Sequence, residues 1–145
     1  MEDPRIVDWL RWHRNSLSKL YIEAAQGGDY PHYEALSPLS LKAVADRMAR
    51  TLIYHADRDD DALGKTEKLH RQQARLITAE IPILEKLAFV EERVSVSKLL
   101  MESDPEAEPF REGLLKRLAE ATRYTKITTR SVELDRKMAE LSGIS

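Results

Sequence analysis

Three times in this sequence a helix-capping side chain is followed directly by proline: Asp3-Pro4, Ser37-Pro38 and Asp104-Pro105. A short polar side chain at the N-cap satisfies an orphan amide of the first turn, and proline just after it has no amide to lose. Beyond each signal, apolar residues recur at helical spacing. After the first, Ile6, Leu10, His13, Leu17, Leu20 and Ala24 form one stripe, which predicts a helix over 4–26 closed by Gly27-Gly28. After the second, Leu41, Val44, Ala45, Met48, Leu52 and His55 predict a helix over 38–56, broken by the aspartates at 57 and 59–61 and by Gly64. Thr66 is a plain cap, and Leu69, Leu76, Ile77, Leu84, Leu87 and Val94 give a third helix over 66–101. Pro82 lies within it, so a kink near Thr78–Pro82, or a pair of abutting helices, is expected.

The third signal opens a last helix over 105–141, with Glu106 and Glu108 at the positive end of its dipole. Phe110, Leu114, Leu118 and Ala121 share one face. Tyr124, Ile127, Leu134, Met138 and Leu141 share another, rotated by roughly 120° at about 100° per residue. The join over 122–129 is rich in β-branched residues, which are mediocre helix formers. Either the helix breaks there, or its C-terminal half leaves the bundle to meet a partner. The expected fold is all-α, an antiparallel four-helix bundle forming a single domain. It comprises a three-helix core over 1–101, an acidic linker over 102–108, and a C-terminal helix over 109–145 packing on the core, a partner or both.

At 145 residues such a chain buries enough surface to fold without a staple. It has no cysteine, which excludes disulfides, thiolate metal sites and a cysteine nucleophile. The net charge of −2 gives no global attraction to nucleic acid. No apolar run suits a signal peptide or a membrane span, so a soluble cytoplasmic protein without membrane contact is the expectation.

The usual chemical motifs are incomplete. Glu67 and His70 have the Glu-x-x-His spacing of di-iron bundles, but the required second pair is missing. His13 and His55 both lie on apolar stripes and read as core histidines, potentially paired across two helices. Asp57, Asp59 and Asp61 copy the first ligands of a calcium loop, yet Ala62 stands where its glycine belongs and Lys68 where its bidentate glutamate belongs. Gly64-Lys65-Thr66 lacks the upstream glycine of a phosphate loop, since Asp59 is there instead. No catalytic residue, metal site or cofactor is expected.

What remains is surface. Trp12 falls off the first stripe, Tyr30 and Tyr33 lie in a loop, and exposed aromatics favour interfaces. With Ile127, Leu134, Met138 and Leu141 they make the expected partner-binding set. The function predicted is a non-catalytic assembly subunit that docks on a protein partner or on itself through the second face of the last helix. The alternative is nucleic-acid binding: Lys116, Arg123, Lys126, Arg130 and Lys137 form a basic stripe interleaved with hydroxyls, the side chains that contact phosphates.

Overall fold

A computed structural model of the chain describes residues 3–57 and 60–143, with side chains outside 57–67. The described residues are almost wholly helical and contain no strand. In chain order the α-helices are α1 (Pro4–Trp12), α2 (Arg14–Ala25), α3 (Pro31–Glu34), α4 (Pro38–Asp57), α5 (Asp60–Ile77), α6 (Ile83–Ser103) and α7 (Arg111–Leu141). A 3₁₀ turn over Pro105–Phe110 precedes α7.

The cap-and-proline signals mark real boundaries. Asp3 accepts the Arg5 amide at 3.0 Å, and Asp104 accepts the Glu106 amide at 3.0 Å. Between those signals the expected helices are more divided than their periodicity suggests. The helix expected over 4–26 bends at His13, whose backbone (φ −95°, ψ 7°) separates α1 from α2. The His13 ring stacks on Trp9 with centroids 4.2 Å apart, and its Nδ1 sits 3.0 Å from the Trp9 carbonyl that the His13 amide also approaches.

The helix expected over 66–101 begins earlier, at Asp60, where aspartates suit a helix N-terminus. Of the two outcomes expected at Pro82, the structure has two successive helices rather than a kink. Pro82 is extended (ψ 142°) and serves as the N-cap of α6, leaving residues 78–82 as a connection. The segment expected as the start of the last helix is a 3₁₀ turn instead. Pro109 has no amide to donate, and Phe110 (φ −129°, ψ 18°) is the N-cap that follows it, so α-helix starts only at Arg111. From there α7 runs unbroken through 122–129, so no break occurs at the β-branched join. Its 31 residues span about 46 Å.

Two adjoining clusters make the core. The larger joins Trp9, Leu10, Leu17 and Tyr21 of α1 and α2 to Met48 and Leu52 of α4, Met101 of α6, and Leu114 and Leu118 of α7. The smaller gathers Tyr30, Tyr33, Leu41, Val44 and Ile81 around Phe89. The α4 stripe is buried as its spacing predicts, apart from the half-buried His55. The stripe expected across the third helix is not. Leu69, Leu76 and Leu84 are exposed, and α6 instead buries Phe89, Val90, Arg93, Ser97 and Met101. The interruption before Pro82 resets the helical phase, so a stripe carried across it points the wrong way.

Candidate functional site

The fold divides α7 lengthwise. Leu114, Leu118 and Ala121 hold its first half against the core. Further along the same inner face, Thr125 and Val132 line a cavity. From Leu134 to Gly143 every residue is exposed over the last two turns, about 12 Å of helix, and Arg136 ties this stretch to the body by donating to the Ala79 carbonyl at 3.1 Å.

The outward row of this helix is Arg123, Ile127, Arg130, Leu134, Lys137 and Leu141, and all six are exposed. Their spacings alternate 4, 3, 4, 3 and 4 along the chain. That is a seam of heptad spacing in which one position is apolar, at 127, 134 and 141, and the other cationic, at 123, 130 and 137. Met138 borders the seam, and Leu134 and Met138 are each 59% exposed. No acidic residue falls within the row itself; Glu133, Asp135 and Glu140 lie on its flanks. Lys126 turns aside to pair with Glu91 of α6, which anchors the base of the row to the body. Lys116 is exposed on the first half of the helix, before the row begins, and the nearby Glu120 pairs with Arg117.

The other expected interface residues divide. Trp12 is 84% exposed, but it lies on α1, whose principal neighbours are α4, α2 and the 3₁₀ turn, and so it does not extend the α7 row. Tyr30 and Tyr33 are not surface anchors. Both are buried against Phe89, with ring centroids 5.0 and 4.3 Å away, and burial pushes the Tyr33 phenol up to about 12. Their loop is fastened by Glu85 in the first turn of α6. Its carboxylate accepts the amides of His32 (2.9 Å) and Tyr33 (3.2 Å) and meets the His32 ring at 2.7 Å. A four-residue helix seated on the end of another helix hides two tyrosines that a loop would have displayed.

The histidines on apolar stripes have separate surroundings. His13 stacks on Trp9 and lies 3.7 Å from Asp104, whereas His55 meets Tyr54 and Tyr124 edge-on. No group of three or more metal-ligating side chains occurs among the described residues. Asp59, and the side chains of the calcium-like Asp57 and Asp61, of the Gly64-Lys65-Thr66 segment and of Glu67, lie outside what the structure describes. Among the described residues no helix is long and apolar enough to cross a membrane.

Sequence reading passed over Trp9 and Arg93. Trp9 donates its indole N–H to Asp104 at 2.7 Å and ties α1 to the turn before α7. That donor, first among several causes, holds the Asp104 carboxyl below the usual range. Arg93 occupies the middle of the buried face of α6, one turn from both Phe89 and Ser97. An arginine in phase with buried neighbours is a signal that a count of apolar residues does not register. No family model, no curated protein and no solved structure matches the chain.

Proposed function

We propose that the chain is a non-catalytic assembly subunit whose α7 seam receives an acidic amphipathic helix of a different protein. The scaffold is read as a helical bundle in which the bent α1–α2 pair, α4, the α5–α6 pair and α7 take the four bundle positions. The observation that carries the reading is the composition of the seam, with Ile127, Leu134 and Leu141 at one heptad position and Arg123, Arg130 and Lys137 at the other. Exposed apolar residues at seven-residue spacing suit knobs-into-holes packing with a second helix. The cations then select the partner. A parallel second copy would stack Arg123, Arg130 and Lys137 on themselves, and like charges face to face oppose pairing. A helix with Glu or Asp at the matching positions would satisfy all three.

Nucleic-acid binding by the same cations is the second reading. Phosphate contacts have no use for three large aliphatic residues in the same row, and Lys126 already has a carboxylate partner. These two features favour the protein partner.

The test is a photo-crosslinking residue at Ser131, beside the seam, in the full chain in its native cell. Capture of a protein through an acidic amphipathic segment, lost in Leu134→Glu/Met138→Glu with helicity unchanged, supports the reading. Crosslinks to nucleic acid only, or to a second copy only, defeat it. Unfolding of the double variant would make these residues core rather than interface.

A further inference from the structure

We propose that the cavity between α4, α5, α6 and α7 binds a small phosphate-bearing anion. This cavity is independent of the outer seam of α7 and has a volume of about 180 Å³. Among the described lining residues, six are cationic, namely Arg47, Arg71, Arg75, Lys86, Arg93 and Arg136, and one, Glu133, is acidic. Cations from α4, α5 and α6 thus converge with one from α7 on this space, and Glu133 is its one acidic neighbour among the described residues. Glu133 lies 4.0 Å from Arg136, which also reaches Glu140 at 3.5 Å, so the described carboxylate of the lining is already engaged at the rim.

The decisive group is Arg93. It is 6% exposed, and its Nε is buried with no hydrogen-bond partner. Its guanidinium lies 4.8 Å from the centre of the Phe89 ring, and no described carboxylate pairs with it. The ionisable groups that act on it are the phenols of Tyr33 and Tyr21, both pushed up by burial to about 12 and therefore neutral. Burial accordingly pushes the guanidinium below its ordinary value. Buried charges in folded proteins are paired, and an arginine left unpaired beside a cavity leaves one member of a pair to come from outside.

The chemistry of the wall selects the anion. Arginine presents a planar fork of donors that matches two oxygens of a phosphate group, and several forks arriving from different helices suit a tetrahedral oxyanion better than a flat carboxylate. Thr129 adds a hydroxyl with no intramolecular hydrogen bond among the described residues, while Thr51, Thr78 and Thr125 each donate theirs to the carbonyl four residues earlier. Val44, Val90 and Val132 supply apolar wall, which gives room for a short organic body beside the phosphate.

The experiment is isothermal titration calorimetry on the full chain in chloride buffer at constant ionic strength, with inorganic phosphate in one arm and glycerol phosphate in the other. Saturable binding is expected, weakened roughly tenfold or more by Arg93→Met, as loss of a charge-assisted hydrogen bond implies. Arg75→Gln, a rim change that leaves the core intact, weakens it likewise and stands in if Arg93→Met does not fold. Tighter binding of the ester identifies a phosphorylated metabolite, and tighter binding of phosphate identifies the free ion; either supports the site. Absence of saturable heat through the millimolar range in both arms overturns the proposal, as does binding that neither variant changes.

Discussion

Arg93→Met, measured without phosphate, separates a binding arginine from a structural one. In the folded chain the Arg93 guanidinium has lost its water, and the polar neighbours that remain are neutral. The effective cost of burying an ion is several kcal/mol even after relaxation. Against this, its position over Phe89 returns about 0.5–2 kcal/mol. Methionine keeps an unbranched stem, fills the same space beside the ring and carries no charge. Removing a buried charge in favour of an apolar group of similar volume is commonly neutral or stabilising by about 1–4 kcal/mol. The unpaired state of Arg93 puts the expected gain at about 1–2 kcal/mol. With a urea slope of about 1–3 kcal/mol/M, the midpoint rises by about 0.3–2 M, and Tm by about 2–4 °C per kcal/mol. Urea titrations followed by helical circular dichroism in chloride buffer read this directly, with the slope checked for change. The wild-type midpoint also climbs more than that of the variant as phosphate is added at millimolar concentration, because a ligand that binds only the folded state stabilises it. A loss of more than about 2 kcal/mol in the variant would refute the reasoning, because it would mean that Arg93 holds the interior together rather than waiting for a partner.

Other substitutions probe the scaffold. Tyr21→Phe removes the buried hydrogen bond to Ser97 (2.5 Å) but leaves Ser97 donating to the Arg93 carbonyl, so urea melts should show a loss of about 1 kcal/mol; no loss would mean that bond contributes nothing. Gly113→Ala gains about 0.5–1 kcal/mol of helix propensity, but the new Cβ meets Ile6 Cδ1, and overpacking at about 1–3 kcal/mol outweighs the gain. Adding Ile6→Val removes the offending methyl, so a double-mutant cycle should show favourable coupling, and additivity would contradict the clash. Trp9→Phe takes away the main cause of the lowered Asp104 pKa. A depressed carboxylate contributes stability above its unfolded pKa and loses it as pH falls through the folded one. The variant is therefore less stable at neutral pH, and its gap to the wild type narrows through the acidic carboxylate range; a gap independent of pH would exclude the Trp9–Asp104 bond as its origin.

The sequence made some of this legible because single helices have a phase that apolar residues report. The α4 stripe and the Leu114–Leu118–Ala121 face of α7 are buried where their spacing puts them. Phase cannot be carried across a break, which is why Leu69, Leu76 and Leu84 read as core and are exposed. Tyr30 and Tyr33 needed Glu85, some fifty residues away, to fold their loop down, and no local pattern announces such a contact. The end of α7 was legible for a different reason. Its inner face does not stop at Ala121 but continues as Thr125, Thr129, Val132 and Arg136, which border the cavity rather than a packed core. A helix whose inward positions turn from leucine to threonine and arginine, while Ile127, Leu134 and Leu141 take the outward ones, has its apolar stripe displaced to the solvent side. The apparent rotation midway along the last helix is therefore one unbroken helix that meets two environments: a cavity within and solvent without. The β-branched residues at the join read as a weak point in the sequence, and in the fold Thr125, Thr128 and Thr129 are the cavity wall.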